Sequence, residues 1–208
     1  WSSDVCSSDL AVEVIGSGRT DAGVHAKGQV ANFHIEEHFT EGKILSYLNH
    51  YLPDDIAVIA IEQVDERFHS RYAAKKKTYR YHIHMGEISD VFERIYEYQY
   101  EKILDVESMK EAASYLIGTH DFTSFCGNKK MKKTAVRTIY EINFTKKGND
   151  LWIDYRGNGF LQNMVRILTG TLIEVGDGRR APEELPQILE SKNRENAGYT
   201  APACGLML

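Results

Sequence analysis

The stretch "GSGRTDAGVHAKGQVANF" (residues 16–33) sets Gly16, Gly18, Gly23 and Gly28 around Arg19, Asp21 and His25, then runs into an apolar segment. Glycines let a backbone turn sharply and come close to a ligand. The exit, "KGQVANFHI", alternates around Val30 and reads as a strand. A P-loop is excluded, because no Gly-Lys-Ser/Thr follows the glycines. A dinucleotide fingerprint needs a helix where this chain has a strand pattern. A nucleophile elbow needs a Ser between glycines at fixed spacing, and none is present. Asp21 and His25 would make two metal ligands, but no third is near in sequence. On composition alone the favoured reading is a tight turn with Asp21 capping backbone groups.

Outward from this loop the patterns are mixed. "AVEVIG" reads as a strand, "EGKILSYLNHYL" as a helix stopped by Pro53, and "DIAVIAIEQV" as a strand rich in β-branched residues. "KTYRYHIH" alternates, with Tyr79, Tyr81 and Ile83 on one face and Arg80, His82 and His84 on the other. "DVESMKEAASYLIG" places Val106, Met109, Ala113 and Leu116 on one helical stripe, with Asp105 as N-cap and Gly118 past the end. "RTIYEINFTK" puts Tyr140, Ile142 and Phe144 on one side of a strand, and a Gly-Asn turn leads into a second strand, "DLWIDYRG". "QNMVRILTGTLIEVG" is a helix with Met164, Ile167, Leu168, Thr171 and Val175 inward. "APEELPQILES" starts another helix at Pro182, and "GLML" is a last strand. Hairpin-joined strands with few helices predict an α+β protein with mainly antiparallel sheets covered on one face.

The 208 residues suffice for one large domain or two small ones, and 42% are apolar, enough to bury a core. No apolar run reaches the length of a membrane span, and no signal peptide is visible. Cys6, Cys126 and Cys204 are odd in number and far apart, with neither metal-ligand nor disulfide spacing, so a reducing cytoplasm is the expected compartment. No metal constellation and no cofactor motif is visible. The net charge of -5 conceals two basic runs: Arg67, Arg71, Lys75, Lys76, Lys77 and Arg80, then Lys129, Lys130, Lys132, Lys133 and Arg137. Such patches on an acidic body suit a polyanion bound on one face.

"GRTDAGVHA" resembles the signature of the tRNA pseudouridine synthase A family. "LPDDIAVIAIEQVDERFHSRYAAKKKTYRYHI", "IGTHDFTSFC", "RTIYEI", "GFLQNMVRILTG" and "APACGLML" resemble later blocks of that family, in the same order. The resemblance covers nearly all of residues 11–208. It implies the pseudouridine synthase fold, with two sheet-plus-helix lobes and an active-site cleft between them. Residues 1–10 match nothing that follows and are expected to be a non-native tail. Residues 11–66 are expected to form a first lobe that carries the Asp21 loop, and residues 67–208 the second. The family pattern opens with a further strand and helix and continues past the last strand, so a truncated member is expected.

The resemblance also assigns residues. Asp21 is the expected catalytic carboxylate, attacking ribose C1′ or abstracting a ribose proton. Either role needs the ionised acid and hence a nearby cation. Arg166 is expected to pair with Asp21; between Val165 and Ile167 on an apolar helix, an Arg needs a partner. Tyr79 is expected to stack on the target base while keeping its hydroxyl free to hydrogen bond, and Leu206 to pack on the base's other side. Arg19 is expected to contact RNA or assist base flipping. His25, His69 and Arg71 would shape the RNA cleft, and Lys75, Lys76, Lys77 and the run at 129–133 would meet phosphates. No cofactor and no metal are expected. The partners implied are tRNA, through its anticodon stem-loop, and a second copy of the full-length chain. The competing class is a tRNA-binding module without catalysis. A glycosidase would need a second acid opposite Asp21, which no motif supplies.

Overall fold

The computed structural model describes residues 12–35, 39–128 and 134–208. The expected tail at 1–10 and the lysine run at 129–133 lie outside these residues. The chain packs as two compact units, whose described parts are residues 12–18, 29–35 and 39–74, and residues 19–28, 75–128 and 134–208. This division differs from the expected one. The units part at Ala74 and Lys75 rather than after residue 66, and the loop bearing Asp21 packs with the second unit. The reason is backbone bonding: His25 N–H donates to Leu206 O (2.9 Å) and Leu208 N–H donates to His25 O (2.9 Å).

In the first unit, β1 (Ile15–Gly16) pairs antiparallel with β2 (Ala31–Asn32). Both strands are far shorter than "AVEVIG" and "KGQVANFHI" predict. Helix α1 (Glu41–Tyr51) forms as expected but buries none of its side chains. Helix α2 (Ser70–Ala73) is one turn long; buried Ser70 donates through its N–H to Asn32 Oδ1 (2.9 Å) and through its hydroxyl to Ile15 O (2.6 Å). The predicted strand over "DIAVIAIEQV" does not form. A strand needs a neighbour for its ladder, and here side chains serve the backbone instead. Asn49 Nδ2 donates to Val58 O and Val58 N–H donates to Asn49 Oδ1, both at 2.8 Å, while Gln63 N–H donates to Glu41 Oε1. Ile59 is 85% exposed, so the β-branched run finds no face to cover.

The second unit is built on one mixed sheet. Its strands are β3 (Lys77–Met85), β4 (Tyr98–Tyr100), β5 (Gly118–Asp121), β6 (Val136–Lys147), β7 (Asp150–Gly157) and β8 (Leu206–Met207). Their order is β4-β3-β7-β6-β5, and β8 also lies on β3. Strand β3 is shared lengthwise: β8 pairs antiparallel with Arg80 and Tyr81, and β4 pairs parallel with Ile83 to Met85. The β3 alternation holds, with Tyr79, Tyr81, Ile83 and Met85 all buried. The β6–β7 hairpin closes on Gly148 and Asn149, with Gly148 at φ +61°. Within β6 the face assignment is corrected. Ile139 and Ile142 are buried while Tyr140 is exposed, because a bulge between Ile139 and Glu141 shifts the phase.

Helices α3 (Val106–Ser114), α4 (Met164–Gly176) and α5 (Glu184–Ser191) share this unit's core with the sheet. Asp105 caps α3 by accepting from Glu107 N–H and Ser108 N–H. Helix α4 is buried almost all round, including Thr169 and Thr171, whose hydroxyls bond back to Val165 O and Ile167 O. Fully buried Tyr81, Tyr155 and Ile153 each contribute about 1.5–3 kcal/mol through burial. Among the described residues, no helix is long and apolar enough to cross a membrane.

Residues 197–201 lie flush on α4. A Cβ at Gly170 would sit 1.9 Å from Tyr199 O, and one at Gly198 would sit 2.7 Å from Thr171 Cα. Gly170→Ala is therefore expected to destabilise the fold. Helix propensity alone would make Ala better by about 1 kcal/mol, but the clash is with backbone and should cost about 3 kcal/mol. Urea unfolding should show a clearly lower midpoint at unchanged slope; a rise would mean that the segment moves freely.

Candidate active site

The Asp21 loop is a turn with a fixed exit. Val24 N–H donates to Asp21 O (3.1 Å), and Gly23 lies at φ +80°, as the third position of a type II turn requires. The exit is sewn to the sheet by β8. Besides the two His25 bonds, Lys27 N–H donates to Leu208 O (2.8 Å), and His25 bridges Met207 in parallel fashion. Since β8 lies on β3 through Tyr81 and Leu206, loop, β8 and β3 form one hydrogen-bonded run. The anchor is thus β8.

Arg166 stands in the first turn of α4, between Val165 and Ile167, which are both buried. Its guanidinium has three acceptors. Nε donates to Ala201 O (2.7 Å), and Nη1 donates to Asp21 Oδ2 (2.9 Å) and to Asn163 Oδ1 (3.3 Å). Ala201 N–H in turn donates to Arg166 O (3.1 Å), so residue 201 grips this Arg from both ends. Asn163 holds the left-handed conformation (φ 58°) immediately before the helix. The Arg166 side chain is 17% exposed and that of Asp21 41%. A pair this open contributes little to stability. What the arrangement supplies is aim: a carboxylate held at one end and open to solvent at the other.

Tyr79 is buried on β3 and meets Phe160 edge-on, with ring centroids 5.4 Å apart. Burial pushes its hydroxyl above the usual tyrosine range, and the nearby Asp21 charge pushes it further. The phenol is therefore a neutral donor that feels the Asp21 carboxylate. Tyr81, two residues on, is a core residue as expected, with its hydroxyl donating to Pro202 O (2.7 Å). Leu206 is buried and pairs with Tyr81 in the sheet.

The remaining predicted residues are placed differently. Arg19 is exposed. The His25 ring contacts Ile95 O through Nε2 (2.7 Å) and lies 4.7 Å from the Tyr96 ring, contacts that hold the loop. His69 belongs to the first unit and caps α2, its Nδ1 accepting from Arg71 N–H and Tyr72 N–H. Arg71 is half-buried in the same unit. Lys75 and Lys76 lie at the start of the second unit, Lys76 exposed and with its Nζ 5.5 Å from the Tyr140 ring centroid, and Lys77 opens β3. Sequence reasoning missed Asn163, Phe160 and Ala201. The signal for Asn163 is its place at a helix start, which the periodic pattern set at Gln162.

In the second unit of this α+β fold a carboxylate and a guanidinium pair near a buried phenol, a set of groups able to meet a polar substrate. The sequence profile described as tRNA pseudouridine synthase matches residues 2–73 and 112–208. The chain is 49% identical over 197 residues to tRNA pseudouridine synthase A of Brevibacillus brevis, covering 95% of this chain and 81% of that protein. It is 48% identical to tRNA pseudouridine synthase A of Bacillus licheniformis, over 95% and 80% of the two chains. It is 50% identical to tRNA pseudouridine synthase A 2 of Bacillus anthracis, over 94% and 80%. The chain belongs to the tRNA pseudouridine synthase family. Membership makes it an isomerase that converts uridine to pseudouridine, with tRNA as the family's substrate.

Proposed function

We propose that the chain makes pseudouridine in the anticodon stem and loop of tRNA, with Asp21 as its catalytic carboxylate. The reaction breaks the bond from ribose C1′ to uracil N1, turns the base and joins C1′ to C5. N1 ends with the proton that C5 loses, so nothing is oxidised or reduced. Asp21 either attacks C1′ or takes a ribose proton, and both routes need its ionised form. The observation that carries the reading is the Arg166 guanidinium 2.9 Å from that carboxylate, whose side chain is 41% exposed on a loop fixed to the sheet. Arg166 balances the charge of the acid, and Tyr79 and Leu206 steady the detached uracil. Arg19 touches RNA beside them.

Target uridines in a stem must first leave the stack, at a cost of a few kcal/mol. Stacking at about 1–3 kcal/mol per base and phosphate attraction offset that cost. The same reading has the full-length protein act as a cytoplasmic homodimer, which the family resemblance supports and sedimentation would check. The reading is tested by tritium release from unmodified tRNA labelled at uridine C5. Release confined to the anticodon arm is expected; binding without release would leave only a tRNA-binding module.

Binding should weaken steeply with salt. Removing Lys75 and Lys76 together should flatten the slope of log affinity against log salt by about one unit for each phosphate that is no longer neutralised. Filter binding at several ionic strengths checks this, and an unchanged slope would remove these lysines from the RNA surface.

A further inference from the structure

On the face of the sheet opposite Tyr79, Tyr81 and Ile83, two strands and the lead-in to a third bring His82, Glu97 and Asp150 together. His82 lies on β3, Asp150 opens β7, and Glu97 immediately precedes β4. The positions are far apart in the chain, so no spacing in the sequence shows the group. The three ligand atoms lie within 4.8 Å of one another. His82 Nε2 is 3.0 Å from Asp150 Oδ1 and 3.7 Å from Glu97 Oε2. Ligands about 2.0–2.1 Å from a tetrahedral zinc stand about 3.3 Å apart; both His82 separations lie near that value, and the Glu97 and Asp150 carboxylates, within 4.8 Å of each other, would draw together on an ion.

Glu97 makes this more than a chance cluster. Its side chain is 1% exposed, and its Oε1 is buried without a hydrogen-bond partner among the described residues. A buried carboxylate with an unserved oxygen is costly unless it keeps its proton or a cation meets it. The neighbours hold the other two groups in place. Trp152 stacks on the His82 ring, with centroids 4.8 Å apart and planes 20° apart. His84 Nδ1 lies 2.8 Å from Asp150 Oδ1, and its Nε2 lies 3.1 Å from Ile88 O. A carboxylate oriented by a second residue's ring is the outer-shell arrangement common at metal sites. Asp150 is partly exposed (32%), which leaves a path for an ion and room for water as a fourth ligand.

The geometry points to a divalent transition-metal site formed by His82, Glu97 and Asp150, with Zn²⁺ as the fitting ion. One nitrogen and two carboxylate oxygens suit that ion class. The site binds the lead-in to β4, β3 and β7 into one unit, in sheet order, and so acts as a staple apart from the Asp21–Arg166 pair.

The test uses the chain stripped by chelator and titrated with Zn²⁺ by calorimetry. One ion per chain is expected, with affinity falling at least about tenfold in Glu97→Gln and in Asp150→Asn. Zn²⁺ should raise the melting temperature of the original chain more than that of Glu97→Gln at the same ion concentration, since an ion bound only by the folded state stabilises it in proportion to its affinity. Circular dichroism of Glu97→Gln, a near-isosteric change, confirms its fold. His120→Ala, on β5, should bind as the original chain does. Absence of saturable binding, or affinity in Glu97→Gln and Asp150→Asn unchanged from that of the original chain, would overturn the site; the second result would assign the ion to other histidines or cysteines.

Discussion

Replacing Asp21 by Asn is expected to abolish pseudouridine formation, lowering the rate on the order of 10⁴-fold or more, while tRNA affinity changes by less than about threefold. The amide keeps the shape of the side chain and its hydrogen-bond acceptor for Arg166 Nη1, now 2.9 Å from Asp21 Oδ2. The turn is unaffected, because Val24 N–H bonds to the backbone oxygen of residue 21 and Gly23 supplies the positive φ. What the substitution removes is the charge and the basic oxygen. Stability should shift little, since the Asp21 side chain is 41% exposed and open ion pairs contribute about 0–1 kcal/mol. Single-turnover tritium release with saturating enzyme isolates the chemical step from binding. A variant that retains near-normal rate would remove the acid from the mechanism, and one that loses tRNA binding in proportion would make residue 21 a docking residue.

The legible parts of the fold are those where burial alone sets the pattern. Alternation in β3 and the apolar stripe of α3 follow from one buried face each, the apolar run of α4 from burial almost all round, and the Gly148–Asn149 turn from its own backbone needs. Where partners decide, the sequence is mute. The segment 55–64 carries the β-branched residues of a strand but pairs with no strand among the described residues, and Asn49 and Glu41 serve its backbone instead. Strand β4 is three residues long and rich in Tyr, and it exists because half of β3's edge is free beyond β8. The bulge at Tyr140 changes which side chains face inward without leaving a Gly or Pro as a marker. The site divides in the same way. The Asp21 loop announces itself through its glycines, whereas Arg166 lies 145 residues away and is linked to it by family resemblance, not by any local rule. His82, Glu97 and Asp150 belong to no pattern at all; register across β4, β3 and β7 alone brings them together.

Arg166→Lys is expected to cost on the order of 10²-fold in turnover and Arg166→Met on the order of 10³-fold, the range seen when a charge-stabilising donor is removed from an active site. The two substitutions separate two functions of one guanidinium. Its Nε grips Ala201 O at 2.7 Å while Nη1 reaches Asp21 at 2.9 Å. A planar fork can hold both acceptors at fixed angles; an ammonium is a single point and must favour one. Lys should therefore retain the charge balance but lose the aim, whereas Met loses both. Backbone contacts buffer the structural damage: Ala201 N–H still bonds to residue 166 O, and Gly170 and Gly198 still let residues 197–201 lie against α4. Thermal melts should accordingly show a modest loss for Met, too small to explain a rate defect on the order of 10³-fold. The informative readout is the split between parameters. If Arg166 acts on Asp21 and the reacting sugar, kcat falls and KM for tRNA stays near its original value. If it serves instead as one more phosphate contact, KM rises, kcat holds, and the salt slope drops by about one unit as for a surface lysine. The second pattern would detach Arg166 from the acid's chemistry even though the two side chains touch.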